Sequence, residues 1–175
     1  ASFLTPFYRG LSRTPAWDDA VAVLEDWIAQ GRFLSSVAFV CGTVEKLDLR
    51  LLESAMNRAL EMQDDNAVLT CIHSVALRDS EESARQLKPL FLRAVDYLIE
   101  RREARWVHYW NHRQPAAMLA RLTKREIVKV LGSLVAYERV GSRLEWFLAD
   151  VAKTRPQEAV SYTHLTLPTK RIVQI

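Results

Sequence analysis

The sequence predicts an all-α protein, and three observations carry that prediction. Apolar residues recur at i, i+3, i+4 and i+7 through most of the chain, the period of a helix with one buried face rather than of a strand. Only 5 Gly and 6 Pro stand among 175 residues, few for a fold built on hairpins and tight turns. Ser, Thr or Asp stands at cap spacing before several of the apolar stripes. With 49% hydrophobic and 26% charged residues, the chain has the composition of a globular domain with a sizeable core.

Thr14 as N-cap, with Pro15 at the first helical position, opens a helix with Trp17, Ala20, Val21, Leu24, Trp27 and Ile28 on its buried face, and Gly31 closes it. A shorter stripe of Leu34, Val37, Ala38 and Cys41, ending near Gly42, completes an antiparallel hairpin. Asp48 caps the next helix, with Leu52, Ala55, Met56, Ala59 and Leu60 inward. After the polar turn at 63–66, its partner carries Ala67, Val68, Cys71, Ile72, Val75 and Ala76. Asp79 and Glu82 stand in capping-box spacing before a long segment with Leu87, Phe91, Ala94, Val95 and Leu98 inward. Pro89 lacks a backbone donor and disfavours α geometry at Lys88, so it is expected to kink or restart that helix.

The clearest start signal is the box Thr123 to Glu126, with Leu122 and Ile127 as hydrophobic staple; it opens a stripe of Ile127, Val130, Leu131, Leu134 and Val135. A second box, Ser142 to Glu145, follows Gly141 and leads to Leu144, Phe147, Leu148 and Val151, with Pro156 as the stop.

The first helices of successive pairs begin near residues 15, 48, 80 and 123, a spacing of about 32 to 43 residues, in the range of two-helix solenoid repeats. One domain is therefore expected over residues 1–160, an α-solenoid-like array of about four helical hairpins, with an irregular helical bundle as the alternative. The pairing of helix, short turn and helix, with a Pro inside a first helix, resembles HEAT-like repeats over residues 15–156. The stretch LGSLVAYERVGSRLEWFLADVAKTRPQEAV, residues 131–160, is similar to the C-terminal helical repeats of large bacterial proteins with a STAND or NACHT-type nucleotide switch. That resemblance implies a sensing or scaffolding segment of a larger protein. The chain contains no Walker A sequence, so the nucleotide-binding part of such a protein is expected outside it. Its opening on Ala1 rather than Met agrees with a fragment. The tail SYTHLTLPTKRIVQI, residues 161–175, abandons helical periodicity and resembles translated adaptor or vector read-through; a native strand docking on a neighbour is the other reading.

A net charge of +3 with interleaved signs does not call for a polyanion partner. No apolar run is long enough for a membrane span and no secretory leader is present, so a cytoplasmic location is expected. Cys41 and Cys71 sit inside apolar stripes without metal-type spacing, which reads as buried, reduced thiols. No G-x-S-x-G elbow or Gly-rich phosphate loop occurs, so neither catalysis nor a cofactor is expected. Asp18, Asp19, Glu25 and Asp26 form an acidic face beside Trp17 and Trp27, a pattern that more often solvates a helix or complements its dipole than it supplies acid/base chemistry.

The stretch RWVHYWNHR, residues 105–113, concentrates the remaining chemistry. His108 and His112 are four apart on one helical face, but Tyr109 replaces the carboxylate of H-E-x-x-H and the flanking arginines oppose a dication, so no metal is expected. Arg101, Arg102, Arg105 and Arg113 with Trp106, Tyr109 and Trp110 form a basic and aromatic surface, which Lys124, Arg125 and Lys129 extend if the next helix packs alongside. These are the candidate partner-binding residues. The leading expectation is a non-catalytic module that binds a protein or neighbouring domains of its own chain. The alternative is a helical-repeat nucleic-acid binder using the Arg101 to Arg113 region.

Overall fold

A computed structural model describes residues 3–103, 105, 116–135, 149, 151–157 and 160. The protein is all-α, with no strand among the described residues. The helices whose bounds fall among the described residues are α1 (Leu4–Leu11), α2 (Trp17–Ala29), α3 (Leu34–Thr43), α4 (Leu49–Glu61), α5 (Asp65–Leu77), α6 (Glu81–Glu100), α7 (Ala116–Arg121) and α8 (Lys124–Val135).

Local chemistry sets most of these boundaries. The Asp48 carboxylate accepts from Arg50 N at 2.8 Å, and that of Asp64 from Ala67 N at 3.0 Å, so each satisfies a free donor at the start of α4 or α5. The box that opens α8 is complete: Thr123 N donates to Glu126 Oε2 at 2.6 Å, and Glu126 N to Thr123 Oγ1 at 3.3 Å. Burial alone would raise the Glu126 carboxyl, but Lys88, at 2.8 Å, and the Thr123 donors outweigh it and hold the group below its ordinary value.

Four local expectations change. Thr14 does not cap α2, which begins at Trp17 after Ala16; its hydroxyl donates back to Leu11 O at the end of α1, a helix the apolar pattern did not reveal. The cap of α6 is Ser80, whose Oγ accepts from Ser83 N, while Asp79 accepts from Ala117 N and Met118 N and so caps α7 from 38 residues away. Gly42 does not stop α3 but lies buried within it, where a Cβ would stand 2.8 Å from Ser74 Cα of α5. Pro89 neither ends nor restarts α6, which runs unbroken across it; the ring is exposed, and water can satisfy the carbonyl left without a donor.

Packing follows chain order. Each helix from α1 to α4 touches the next and the next but one, and α6 packs on α4, α5 and α7. Gln86 and Arg93 of α6, and Arg101 just past its end, bond in turn to Glu53, Asn57 and Gln63, so α6 runs in the direction of α4. Lys88 with Glu126 and Asp96 with Lys129 set α8 in that direction again. A continuous core fills the interior, with Leu24, Leu52, Met56, Ile72, Leu87 and Leu98 without exposed surface. The expected inward faces of α4, α5 and α6 are buried except for Leu60, which is half-buried. On α2 the buried set is Ala20, Leu24 and Ile28; Trp17, Val21 and Trp27 stay half-buried along an open side.

The turns after α2, α4 and α6 share one geometry. Gly31, Gln63 and Arg102 take positive φ of 68°, 57° and 56°. The following amides, Arg32 N, Asp64 N and Glu103 N, donate to Trp27 O, Ala59 O and Leu98 O at 2.8, 3.0 and 2.8 Å. Those six-to-one bonds satisfy carbonyls that a helix end leaves free, the Schellman arrangement.

Candidate interaction surface

The repeated turns lie along one edge, and the side chains beside them form its chemistry. Phe33 follows the first turn, is 55% exposed, and itself holds a positive φ of 54°. A bulky aromatic in this region is rare because its Cβ crowds the backbone. Trp27 meets its ring edge-on, with centroids 5.1 Å apart, and the Arg32 guanidinium lies 5.2 Å from its centre. Met62 of the next turn is 48% exposed and lies over Gly31, where a Cβ would come 2.2 Å from its sulfur. Exposed aromatic, Met and Arg side chains around a half-buried Trp are the composition of a protein-contact hot spot.

Further along the edge Arg101 stacks over Tyr97, 4.4 Å from its ring centre, and reaches Asp65 at 3.3 Å and Gln63 at 2.9 Å. Tyr97 Oη donates to Asp65 at 2.6 Å; burial first, then that bond, push its phenol up to about 12. Arg102 is exposed at the third turn. Arg105 pairs with Glu103 at 2.6 Å, and the hydrogen bond from Arg105 outweighs burial to hold the Glu103 carboxyl low. Two of the arginines expected to seek phosphate are thus engaged with carboxylates.

Lys124 and Arg125 are exposed at the start of α8. Because α8 runs alongside α6 with Glu126 on Lys88, they lie thirteen residues of helix away from Arg101, about 20 Å. Lys129, expected to extend the same patch, pairs with Asp96 at 2.6 Å. The structure therefore brings Arg101, Arg102 and Arg105 together but places Lys124 and Arg125 elsewhere. Trp106, Tyr109, Trp110 and Arg113, with His108 and His112, lie outside the described residues. Sequence reasoning missed Phe33, Arg32 and Met62. Their signal was an aromatic placed between the helix-ending Gly31 and the apolar stripe that begins at Leu34.

Two clefts flank the packed helices. One, of about 480 Å³, runs between α2 and α4 over Val21, Ile28 and Leu51. The other, of about 740 Å³, is polar and holds Arg78, whose Nη1 donates to Cys41 O, Val44 O and Leu47 O at 3.0, 3.1 and 3.2 Å. Burial pushes the Cys41 thiol up to about 12 despite the nearby Arg78, and the Cys71 thiol higher still. Among the described residues no group of three His, Cys, Asp or Glu is placed to hold a metal ion, and no helix is long and apolar enough to cross a membrane.

No family model, curated protein or solved structure matches the chain.

Proposed function

We propose that the chain is a non-catalytic helical-repeat module that binds a protein partner through the turn edge around Phe33. The carrying observation is Phe33 itself: an exposed aromatic in left-handed backbone, at the N-cap of α3 with no side-chain cap bond. Each of these is locally unfavourable, and a costly residue of this kind points to a contact made with something else.

A solenoid-like stack of hairpins is part of the same reading. Contacts run between adjacent and next-but-one helices, and side-chain hydrogen bonds between elements recur at separations from 31 residues, Arg78 to Leu47, up to 40, Arg121 to Glu81. Nearest-neighbour bonding at separations of about one hairpin is what a two-helix repeat requires. Lys46 on Ser12 O, Arg78 on Leu47 O and Arg155 on Leu122 O repeat one clasp, a cation after a second helix holding carbonyls of the preceding connection. The resemblance to HEAT-like repeats and to the C-terminal segments of STAND-type proteins fits here as a scaffold or sensor within a larger bacterial cytoplasmic protein.

A protein partner is favoured over nucleic acid because Arg101 and Arg105 already hold carboxylates, which leaves little free charge for phosphates. A photo-crosslinking phenylalanine analogue at position 33 of the full chain tests the reading. One saturable adduct is expected from position 33 and none from exposed Arg85 on α6; equal adducts at both, or none, would count against it.

A further inference from the structure

The cleft between α2 and α4 has a built shape that the turn edge does not use. Its floor is apolar, from Val21 and Ile28 of α2 together with Leu47 and Leu51 from the α4 side. Its α2 rim carries Asp18 and Glu25, both exposed. These carboxylates are seven residues apart, as are Val21 and Ile28, so rim and floor repeat in register every two helical turns, about 11 Å. Helix α2 has four carboxylates, Asp18, Asp19, Glu25 and Asp26, and no basic residue. The opposite rim is mixed, with Arg50 exposed on α4, Lys46 lying 4.8 Å over the Trp17 ring at the cleft's end, and the carboxylate of Asp48 between them.

We propose that this cleft docks an amphipathic helix of a partner protein, with its apolar stripe on Val21, Ile28 and Leu51 and a row of Lys or Arg along the acidic α2 rim. The geometry fixes three features of that occupant. A groove as long as α2, about 20 Å, takes about three to four helical turns. Floor residues repeating at seven select apolar anchors at i, i+3 or i+4, and i+7, the spacing by which one helix lies in a groove. The uniformly acidic α2 rim sets its direction and register, because a helix laid in reverse takes its basic flank away from Asp18 and Glu25 and toward Arg50 and Lys46. The half-buried state of Trp17 and Val21, which a fully closed α2–α4 interface would cover, is the surface this occupant seals.

The proposal rests on the interaction-module reading for its class of partner but uses none of the turn-edge residues, so the two can fail separately. The probe is a synthetic helical peptide of about four turns with Leu at i, i+4 and i+7 and Lys along one flank, and its counterpart with Glu in place of Lys. Each is titrated to about 1 mM, enough to detect weak binding, into the full isotope-labelled chain while backbone amide shifts are followed. Shifts confined to α2 and the start of α4 are expected with the Lys peptide, with binding weaker by about tenfold or more for the Glu peptide, a difference of about 1.4 kcal/mol. The double variant Asp18→Lys, Glu25→Lys reverses that order; both positions are exposed, and an unchanged far-UV spectrum checks its fold. The variant Phe33→Asn leaves the peptide's binding unchanged, which separates this cleft from the turn edge. Absence of shifts with both peptides, equal binding of both, or shifts centred away from α2 and α4 would overturn the proposal.

Discussion

Gly42 and the two cysteines show how closely single residues are fixed between α3 and α5. A Cβ on Gly42 would stand 2.7 Å from Ser74 Cβ and 2.8 Å from Ser74 Cα, and the backbone atom cannot rotate away. Gly42→Ala is therefore expected to lower stability by about 1–3 kcal/mol, read as a fall in the urea midpoint, although alanine is the better helix former. Cys41 and Cys71 have thiols raised by burial, so both stay protonated well above neutral pH and are poor nucleophiles. Ellman's reagent at pH 8 is expected to label neither in the folded chain and both after denaturation. Rapid native labelling would show that the α3–α5 contact opens.

Helix starts were legible where the capping group is local. Asp48, and the pair Thr123 and Glu126, act within their own first turns, where sequence spacing and spatial distance coincide. Asp79 misled because its carboxylate serves a helix much further along the chain, Ala117 being 38 residues away, a relation no local spacing encodes. The polar turn at 63–66 was legible, but the left-handed geometry at Gln63 and the turn at Arg102 were not, because the residue with positive φ is not a glycine. Of the interaction edge, Arg101, Arg102 and Arg105 stand close in the sequence itself, whereas the pairing of Arg101 with Asp65 depends on packing between α5 and α6.

Glu126 has a carboxyl held below its ordinary value, so its contribution is full above the unfolded carboxyl range, near pH 4.3, and is lost as pH falls through the lower folded value. Glu126→Gln should flatten the acid limb of the stability profile; an unchanged limb would mean that Lys88 does not hold the carboxylate. Arg78→Ala removes the donor to three carbonyls and is expected to cost about 2–4 kcal/mol, with Arg78→Lys recovering only part because one ammonium cannot reproduce the fork.

Across the whole molecule, stability comes from hairpins that bury their faces on their neighbours, and what remains exposed is the surface open to partners. The apolar stripes announced the first of these, because core positions keep helical periodicity whatever the hairpins pack against. The second was hidden, since Phe33, Met62 and the α2–α4 cleft are defined by which residues the packing leaves uncovered. The central claim is that Phe33 is kept for contact and not for the fold. Its most direct test is the thermal melt of Phe33→Asn, which places a residue tolerant of left-handed backbone and favourable as an N-cap where α3 begins. The account predicts a melting temperature equal to or above that of the parent chain, the gain in backbone and cap offsetting the lost Trp27 contact. A clear fall, equivalent to about 2 kcal/mol or more, would mark Phe33 as a packing residue and contradict the claim.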